Sequence, residues 1–495
     1  MTGVQSVDSV ALLPAYLAAG TAVLVLVTDL VLARPRATIA VAALGAVGTA
    51  VGCALVGAGA QRRTFCVGAD CSWVFNGRAA LVGAVIALLT VGVLGLSVPA
   101  LRAGRSPVGE YCFLLACSMT GGVVLGAAGD LITLIVALET LTLPLYVLVG
   151  LRRGSLASAE AAVTFFVVSV VATTLTLLGA ALLYAVTGSL HLDRLGGVLA
   201  ERPELRELPL TTAAVAVLLV GLAFKVAAVP FHAWAPATYD GAPLPVAAYL
   251  STASKLGGLV ALLAVVQRAL PADQTGPVLA VLAVLTMTVG NLVALRQRRT
   301  VRLLAWSSVA QAGYILAPLG ALALAAGRTD DARAAAYAAA VAYAVFFVVL
   351  ELAAFSGVTA LRPVGADGGT VDDLRGAARR HPWRAAGFGL ALVGLAGLPP
   401  GLAGLFAKVT VVRALLDGGA GWLALVVALN AVLGLAYYLR VTAALWTPTP
   451  TASADGGGAV GVPLGGVVAL VLAATTVAAV VVGVAPQLVL DLAGR

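Results

Sequence analysis

The sequence predicts an all-α polytopic membrane protein with about fourteen transmembrane helices, two of them broken. Three observations predict this fold class. Of the 495 residues, 61% are hydrophobic and only 11% are charged, whereas soluble domains carry roughly 25% charged residues. The mean hydropathy is +1.05. The apolar residues also fall into successive stretches of about 20 residues, the length that crosses a bilayer as a helix.

The predicted spans follow these stretches in order. The first is long enough to cross the bilayer and lacks the cleavage site of a signal peptide, so we expect it to be retained. Residues 448–462 are rich in Pro, Thr and Gly and are expected to form a flexible linker. The fourteen spans lie at roughly 9–33, 38–60, 79–101, 108–128, 130–150, 158–187, 209–229, 245–267, 276–295, 301–325, 334–361, 385–417, 420–446 and 463–491.

Spans seven and twelve are interrupted. The seventh runs into "VPFHAWAPATYDGAPLP", and the twelfth contains "GLPPGLAGLF". Proline and glycine free backbone groups that lipid cannot satisfy, so such breaks are tolerated only beside protein or a hydrated cavity. Each break has a lysine next to it, Lys225 before the first and Lys408 after the second. Paired broken helices point to a transport site, although two ordinary proline kinks would give the same pattern.

The distribution of arginine predicts the orientation, because cytoplasmic loops are enriched in basic residues. Loops are numbered by the spans that they join. Odd loops carry fifteen arginines: Arg34, Arg36, Arg102, Arg105, Arg152, Arg153, Arg296, Arg298, Arg299, Arg302, Arg362, Arg375, Arg379, Arg380 and Arg384. Even loops carry eight: Arg62, Arg63, Arg194, Arg202, Arg206, Arg268, Arg328 and Arg333. The odd loops should therefore be cytoplasmic, with both termini outside.

The five cysteines fit this orientation. Cys66 and Cys71 lie in the second loop, which is predicted to be outside, where an oxidising compartment would favour a disulfide. Two free thiols remain the alternative. The other three lie in spans and are expected to be small core residues: Cys53, Cys112 and Cys117.

Several function classes are disfavoured. The net charge of +8 is explained by arginines at loop edges and gives no evidence for nucleic acid. No Cys/His spacing resembles a metal or iron–sulfur site. No Walker or GxGxxG-type loop opens a soluble domain. We therefore expect no cofactor or metal in this chain, and a function carried out within the membrane.

The lysines are the most informative residues. The chain has thirty Lys plus Arg, but its only lysines are Lys225, Lys255 and Lys408, each in an apolar stretch. Arginine stays protonated in proteins, whereas a buried lysine can release its proton. A residue that must take up and release protons can therefore be lysine but not arginine. Proton handling is the favoured hypothesis; structural counter-ions or snorkelling side chains are the alternative.

Other ionisable groups occur in or near the same spans. Glu139 needs a positive partner within the membrane, and Lys225 is the natural candidate. His232 follows Lys225 by seven residues; it could relay protons or serve as a hydrogen-bonded structural residue. Lys255 is surrounded by hydroxyls that suit a hydrated path or helix packing. Glu351 is a further acid in the eleventh span.

Five stretches together resemble the subunit N family among the antiporter-like membrane subunits of bacterial NADH-quinone oxidoreductase (respiratory complex I). The likeness is strong over about 110–445, and the second stretch is the most specific. They are "ALETLTLPLYVLVGLRR", "GLAFKVAAVPFHAWAPATYDGAPLPVAAYLSTASKLGGL", "GNLVALRQRRTVRLLAWSSVAQAGYIL", "LAGLPPGLAGLFAKVTVVRALL" and "LNAVLGLAYYLRVTAALW".

This resemblance implies two inverted five-helix repeats. The expected divisions are three helices in 1–107, one repeat in 108–270, a second in 271–446, and a linker with the last helix in 447–495. It assigns Glu139 and Lys225 as a charged pair, His232 and Lys255 to a central hydrophilic axis, and Lys408 as the terminal lysine. It also implies that quinone, NADH, FMN and iron–sulfur clusters act in other subunits, with antiporter-like subunits as partners.

The sequence departs from the family pattern at two positions. Thr164 stands where relatives often have lysine, so Lys225 should carry more of the pairing with Glu139. Gln311 stands where many relatives have histidine, and glutamine cannot titrate. Glu351 could substitute as a relay group or pair with a neighbouring helix. Gln311 and Glu351 are therefore secondary candidates, and a divergent second copy with altered coupling stays open.

The favoured function is proton export through buried Glu, Lys and His residues, driven by quinone reduction elsewhere in a complex of the bacterial plasma membrane. A cation/proton antiporter subunit without a redox partner is the alternative, and a scaffold that has lost transport is a third. Na⁺ in place of H⁺ stays open in each case.

Overall fold

The computed structural model describes residues 7–152, 154–448 and 465–494. Twelve helices in those ranges are long and apolar enough to cross a membrane. The prediction of a helical protein with many membrane-crossing segments is therefore confirmed. Arg153 and nearly all of the predicted linker, residues 449–462, lie outside the described residues.

The chain begins with helices α1 (Leu13–Leu32), α2 (Pro35–Gly57) and α3 (Gly77–Arg102). A hairpin of strands β1 (Arg62–Val67) and β2 (Asp70–Phe75) joins α2 to α3. This hairpin is a departure from the predicted all-α class. Every second side chain of β2 is buried, and this two-residue period is typical of a strand.

The hairpin places Cys66 opposite Cys71, and a disulfide joins them. Trp73 follows on β2 and donates a hydrogen bond from Nε1 to the carbonyl oxygen of Ala11 at 3.0 Å. The hairpin is thus held to the segment before α1.

The next group of helices ends at the first break. Asp130 caps α5 by accepting from the Thr133 amide at 2.7 Å, which satisfies an otherwise unpaired donor. Two short helices, α7 and α8, lie in a loop for which the sequence predicted no structure. The bounds are α4 (Val108–Gly126), α5 (Leu131–Val149), α6 (Leu156–Thr187), α7 (Leu192–Glu201), α8 (Pro203–Arg206) and α9 (Pro209–Val226).

The first break lies where the sequence predicted it. α9 ends at Val226, one residue after Lys225, and Ala227 takes a left-handed backbone conformation with φ of 58°. The chain resumes as α10 (Trp234–Gly241), then α11 (Leu244–Tyr249), a π-helical turn (Leu250–Ser254) and α12 (Lys255–Arg268). The last three run on as one span. π-Helical turns inside helices are frequent at functional sites.

The remaining helices contain the second break. α17 ends at Ala396 and α18 begins at Leu402, so Lys408 lies in the second turn of the resumed helix. The last predicted span, 463–491, is wrong as one continuous helix: α20 ends at Val484, before Pro486, and α21 follows. The bounds are α13 (Ala272–Arg296), α14 (Thr300–Leu316), α15 (Asp330–Leu361), α16 (Ala377–Arg380), α17 (Pro382–Ala396), α18 (Leu402–Asp417), α19 (Gly421–Trp446), α20 (Gly466–Val484) and α21 (Gln487–Gly494).

Two segments form the centre of the bundle. The α11–α12 span and α15 are 89% and 83% buried over their apolar windows, whereas α1 and α20 are only 22% buried. α15 packs against α17, α18 and α20, and also against α11 and α12. Lys255 begins α12 and Glu351 lies on α15, so both charges belong to the most enclosed helices.

Candidate functional site

Glu139 and Lys225 form an ion pair between α5 and α9. Lys225 Nζ lies 2.6 Å from Glu139 Oε1, and the two side chains are only 6% and 19% exposed. Lys225 sits at the last turn of α9, where carbonyl groups lack helical partners and a cation is favourable. The break in the seventh span therefore fixes the position of the lysine.

Hydroxyl groups on α6 complete the pair. Ser169 Oγ accepts a hydrogen bond from Lys225 Nζ at 2.6 Å. Thr173, one turn further along α6, donates to Glu139 Oε1 at 2.5 Å. Thr164, which stands where relatives often have lysine, is half-buried on the same helix. Uncharged hydroxyls thus support both charges, and Lys225 is the cation bound to Glu139.

Ser169 and Thr173 were not predicted from the sequence. Their four-residue spacing puts them on one face of α6, and that spacing was a usable indication. It did not show that this face meets Lys225, because the contact joins residues 56 positions apart.

A small cavity lies between Lys225 and the turn that precedes the next lysine. Its volume is about 10 Å³, close to the space that one water molecule needs. Thr142, Ser169 and Lys225 line one part of it, and Ser254 lines another. Because Ser254 directly precedes Lys255, a single water here would lie between the environments of the two lysines.

The two lysines are also close through the backbone. A Cβ at Gly258 would lie 2.9 Å from the carbonyl oxygen of Lys225, so only glycine allows α12 to approach the end of α9 this closely.

Lys255 is buried at the centre of the bundle and donates from Nζ to the Ser308 carbonyl oxygen at 2.7 Å. The hydroxyl oxygen of the same residue, Ser308 Oγ, lies 3.3 Å from Ser251 Oγ. Ser251 Oγ donates to Glu351 Oε1 at 2.6 Å. A chain of serine groups therefore connects the lysine on α12 to the carboxylate on α15.

Glu351 is fully buried, and its second carboxylate oxygen, Oε2, has no hydrogen-bond partner within the described residues. A buried carboxylate oxygen normally has a partner. The structure thus places this secondary candidate directly in the central cluster.

His232 lies in the turn between α9 and α10. Its ring packs against Trp306 of α14, with centroids 5.0 Å apart. His232 Nδ1 and Trp306 Nε1 are both buried without a partner in the described part of the chain. No hydrogen bond joins His232 to any of the three lysines across those same residues. Trp306 precedes Ser308 by two positions, so His232 lies against the helix that carries the acceptor of Lys255.

Lys408 caps the first half of the second broken span. Its Nζ donates to the carbonyl oxygens of Leu395 at 3.0 Å and Ala396 at 2.5 Å. These carbonyls end α17 and carry the partial negative charge of a helix C-terminus. Lys408 Nζ also lies 5.6 Å from the centre of the Tyr314 ring, a cation–π distance.

Gln311 belongs to the same cluster. Its Nε2 donates to the Leu395 carbonyl oxygen at 3.3 Å, the oxygen that Lys408 also contacts. It donates to Tyr438 at 3.1 Å as well, while Tyr343 donates to Gln311 Oε1 at 2.6 Å. Gln311 follows Ser308 by three positions on α14, so one face of this helix bears contacts of both Lys255 and Lys408.

A network of tyrosine and asparagine extends this cluster, and sequence analysis missed it. Asn291 donates to the Tyr314 hydroxyl at 3.0 Å and accepts from Tyr437 at 3.0 Å. Asn291 also donates to Asn430 at 3.2 Å. Tyr437 and Tyr438 are adjacent in "AYYLR", and a polar pair inside an apolar span was the available indication.

The arrangement comprises three polar clusters inside an apolar bundle: Glu139–Lys225, Lys255–Glu351 and Lys408–Gln311. Each holds a lysine whose ammonium group is bound by oxygen atoms. Lysine can exchange its proton where arginine cannot, so each cluster holds a group that is chemically able to take up and release a proton.

The chain matches a family model described as "NADH:quinone oxidoreductase/Mrp antiporter, TM" over residues 128–434. It is 78% identical to NADH-quinone oxidoreductase subunit N of Salinispora tropica, over the full length of both chains. It is 46% identical to NADH-quinone oxidoreductase subunit N 2 of Streptomyces griseus subsp. griseus, with 90% of this chain and 83% of the relative covered.

Two solved structures have a similar fold. One is a chain of respiratory complex I from Thermus thermophilus with bound aureothin; the TM-score is 0.78 and the identity 29%, covering 97% of this chain and 99% of that one. The other is a chain of the Mrp complex from Dietzia sp. DQ12-45-1b; the TM-score is 0.80 and the identity 24%, covering 97% and 96%. The second likeness concerns the fold alone.

Proposed function

This chain belongs to the subunit N family of NADH-quinone oxidoreductase membrane subunits, and from that premise we propose that its three lysine clusters form the path by which it moves protons. The Glu139–Lys225 ion pair carries the proposal. Two opposite charges 2.6 Å apart in an apolar bundle are costly to bury. The second broken span holds another lysine in a comparable place, which supports a paired transport role.

We propose the following route. A proton is taken up near Lys225, passes through the region of Lys255 and His232, and leaves from Lys408. Glu139 sets the proton affinity of Lys225, because an adjacent negative charge favours the ammonium form. Glu351 and Gln311 stand between the second and third lysine through contacts with Ser251 and Tyr438. Gln311 cannot titrate, so transfer past it runs through water or tyrosine hydroxyls.

The driving force comes from outside this chain. Quinone reduction in other subunits of the complex, which hold FMN and the iron–sulfur clusters, would supply the energy. The partners include other antiporter-like subunits, and no nucleic acid is involved. A cation/proton antiporter subunit without a redox partner is not favoured, because the relatives at 78% and 46% identity are both named as NADH-quinone oxidoreductase subunits.

The finer architecture is also part of the proposal. Counting α14 and the α17–α18 pair as spans brings the twelve uninterrupted helices to fourteen. We propose three helices in 1–107, inverted repeats in 108–270 and 271–446, and a last helix in 447–495. The odd loops face the cytoplasm of a bacterial cell, and both termini face outside.

The test uses the assembled complex in membrane vesicles. Glu139→Ala and Lys225→Ala should each lower proton pumping and the coupled quinone-reductase rate by at least about tenfold, the scale expected when a buried charge loses its partner. Both rates are normalised to the amount of assembled complex. Glu201→Ala is a matched control, because Glu201 is exposed on α7. Pumping and quinone-reductase rates equal to those of the control in both variants would refute the proposal.

A further inference from the structure

A cavity of about 830 Å³ opens at one end of the bundle, away from the three lysine clusters. Its walls come from the end of α3, the start of α11, the end of α15 and the starts of α17 and α20. Apolar side chains of the helices form part of its wall, among them Leu96, Leu244, Leu361 and Val468. The cavity therefore joins the apolar interior of the bundle to its polar end.

The polar side of the cavity is strongly basic. Five arginines and one histidine line it, against a single carboxylate, that of Asp373: Arg105, Arg152, Arg362, Arg380, Arg384 and His381. Arg362 pairs with Asp373 at 3.2 Å and with Asp367 at 3.4 Å. In the parts of the chain that the structure describes, no carboxylate lies within 4.0 Å of the other four guanidinium groups. Four guanidinium groups around one cavity thus lack an ion-pair partner among the described residues, and Arg380 and Arg384 each donate one hydrogen bond to a backbone carbonyl oxygen.

His381 experiences this field. Partial burial, then the charges of Arg384 and Arg380, lower the pKa of His381 below its usual 6.5. The imidazole is therefore neutral at pH 7. The groups facing it come from several elements, with Arg105 after α3, Arg152 after α5, and Arg362 and Asp373 after α15. An anion in the cavity would oppose the positive field at this residue.

A neighbouring residue indicates the kind of anion. Trp383 is 88% exposed in the first turn of α17, between His381 and Arg384. Tryptophan is enriched at the level of lipid headgroups. Trp383 therefore indicates that the neighbouring guanidinium groups of Arg380 and Arg384 lie at that level. A ligand with an anionic head and an apolar tail fits both the basic rim and the apolar wall, whereas free phosphate would leave the apolar wall without a partner.

We propose that this cavity binds the phosphodiester headgroup of an anionic phospholipid, with Arg105, Arg380 and Arg384 contacting phosphate oxygens. Guanidinium groups bind phosphate through paired hydrogen bonds, and basic pockets between transmembrane helices suit anionic headgroups. The lipid would join the ends of α3, α15, α17 and α20, and so stabilise the central helix that carries Glu351. The proposal requires only that the bundle lies in a membrane, and does not depend on the proton route.

The experiment measures lipid binding to the full chain within its assembled complex, purified in detergent. Phosphatidylglycerol is titrated in, and both the thermal midpoint and the lipid retained per complex, by native mass spectrometry, are recorded. Arg380→Gln/Arg384→Gln should raise the apparent Kd at least tenfold. Arg380→Lys/Arg384→Lys keeps the charge but loses the paired hydrogen bonds, so its apparent Kd should lie between those of the wild type and the glutamine variant, which separates loss of charge from a folding defect. Arg34→Gln/Arg36→Gln, at exposed positions before and at the start of α2, is the matched control.

Three results would overturn the proposal. Equal stabilisation by phosphatidylcholine would show that charge is not recognised. Equal stabilisation by inorganic phosphate alone would assign the cavity to a free anion. Unchanged retention of phosphatidylglycerol in Arg380→Gln/Arg384→Gln would show that the lipid binds elsewhere, as expected if a helix of another subunit covers the cavity.

Discussion

Removing one partner of the Glu139–Lys225 ion pair is expected to cost more than removing both. The perturbations are Glu139→Gln, Lys225→Met and the double variant. Glutamine keeps the shape of the carboxylate, and methionine keeps most of the length of the lysine stem. Each single variant therefore leaves one charge without its partner, whereas the double variant leaves two neutral side chains of similar volume.

The expected magnitude follows from the 2.6 Å separation of Lys225 Nζ and Glu139 Oε1. At an effective dielectric constant of about 20, their attraction is about 6 kcal/mol. Transferring each ion from water costs several kcal/mol, so the intact pair contributes little net stability. A single variant loses the attraction but keeps one desolvated ion, at a cost of about 3–5 kcal/mol. Ser169 would still accept a hydrogen bond from Lys225 in Glu139→Gln, and Thr173 would still donate one to Glu139 in Lys225→Met. We therefore expect the cost to lie at the lower end of that range, about 3 kcal/mol.

The assay separates stability from function. The amount of assembled complex in membranes and the thermal midpoint of quinone-reductase activity report stability, and vesicle acidification per electron reports pumping. We expect both single variants to be depleted, the double variant to recover most of the assembled complex, and pumping to be lost in all three. Glu201→Gln, at an exposed site on α7, controls for the substitution itself.

Two outcomes would refute this reasoning. A double variant as unstable as the worse single variant would show that the two charges do not interact as the structure indicates. A double variant that assembles and pumps the wild-type number of protons per electron would show that the pair takes no part in transfer.

Three further predictions concern other parts of the chain. Lys408→Arg keeps a cation beside the Leu395 and Ala396 carbonyl oxygens but holds its proton; pumping per assembled complex should fall at least about tenfold, and an unchanged rate would assign Lys408 a structural role. In intact cells, Cys71→Ser should make the half-buried Cys66 thiol reactive to a membrane-impermeant maleimide, whereas a cysteine from Ser106→Cys should react only after permeabilisation; the reverse pattern would invert the proposed orientation. Burial and the charges of Arg384 and Arg380 lower the pKa of His381. The negative charge of a bound phosphate would raise that pKa again, so binding would take up a proton. The affinity for phosphatidylglycerol should therefore rise as the pH falls from about 7 through the range below 6.5 in which His381 takes up its proton, and His381→Gln should flatten that dependence; an equal rise in the variant would exclude His381 as the titrating group.

Hydropathy predicted the membrane-crossing helices well because lipid imposes one dominant constraint: an unpaired backbone group cannot be exposed to it. The same constraint located the break after Lys225, since Pro230 cannot continue the hydrogen-bond ladder of α9. The β1–β2 hairpin and helices α7 and α8 were missed because they lie outside that constraint. Short segments at the surface depend on local turns and tertiary contacts, as the bond from Trp73 to Ala11 illustrates.

The candidate site was predicted in its charges and not in its partners. Lys225 and Glu139 were paired in advance because a buried charge needs an opposite one. The role of Ser308 could not be predicted, because Lys255 uses its backbone carbonyl oxygen, which every residue type has. The joint contact of Gln311 and Lys408 with Leu395 likewise depends on how α14 and α18 pack against the end of α17.

The position of Glu351 bears on how α15 acts on the lysine of α12. Glu351 lies on α15, and its hydrogen bond goes to Ser251, which precedes α12. Ser251 belongs to the π-helical turn that directly precedes Lys255, so a change in the charge of Glu351 acts on the segment that positions that lysine. Ser308 contacts Ser251 and Lys255, and Gln311 lies one turn further along the same helix, bonded to the Leu395 carbonyl oxygen that Lys408 also contacts. Glu351, a secondary candidate from the sequence, therefore lies beside the turn that positions Lys255, where a change in its charge alters the electrostatic field at that lysine.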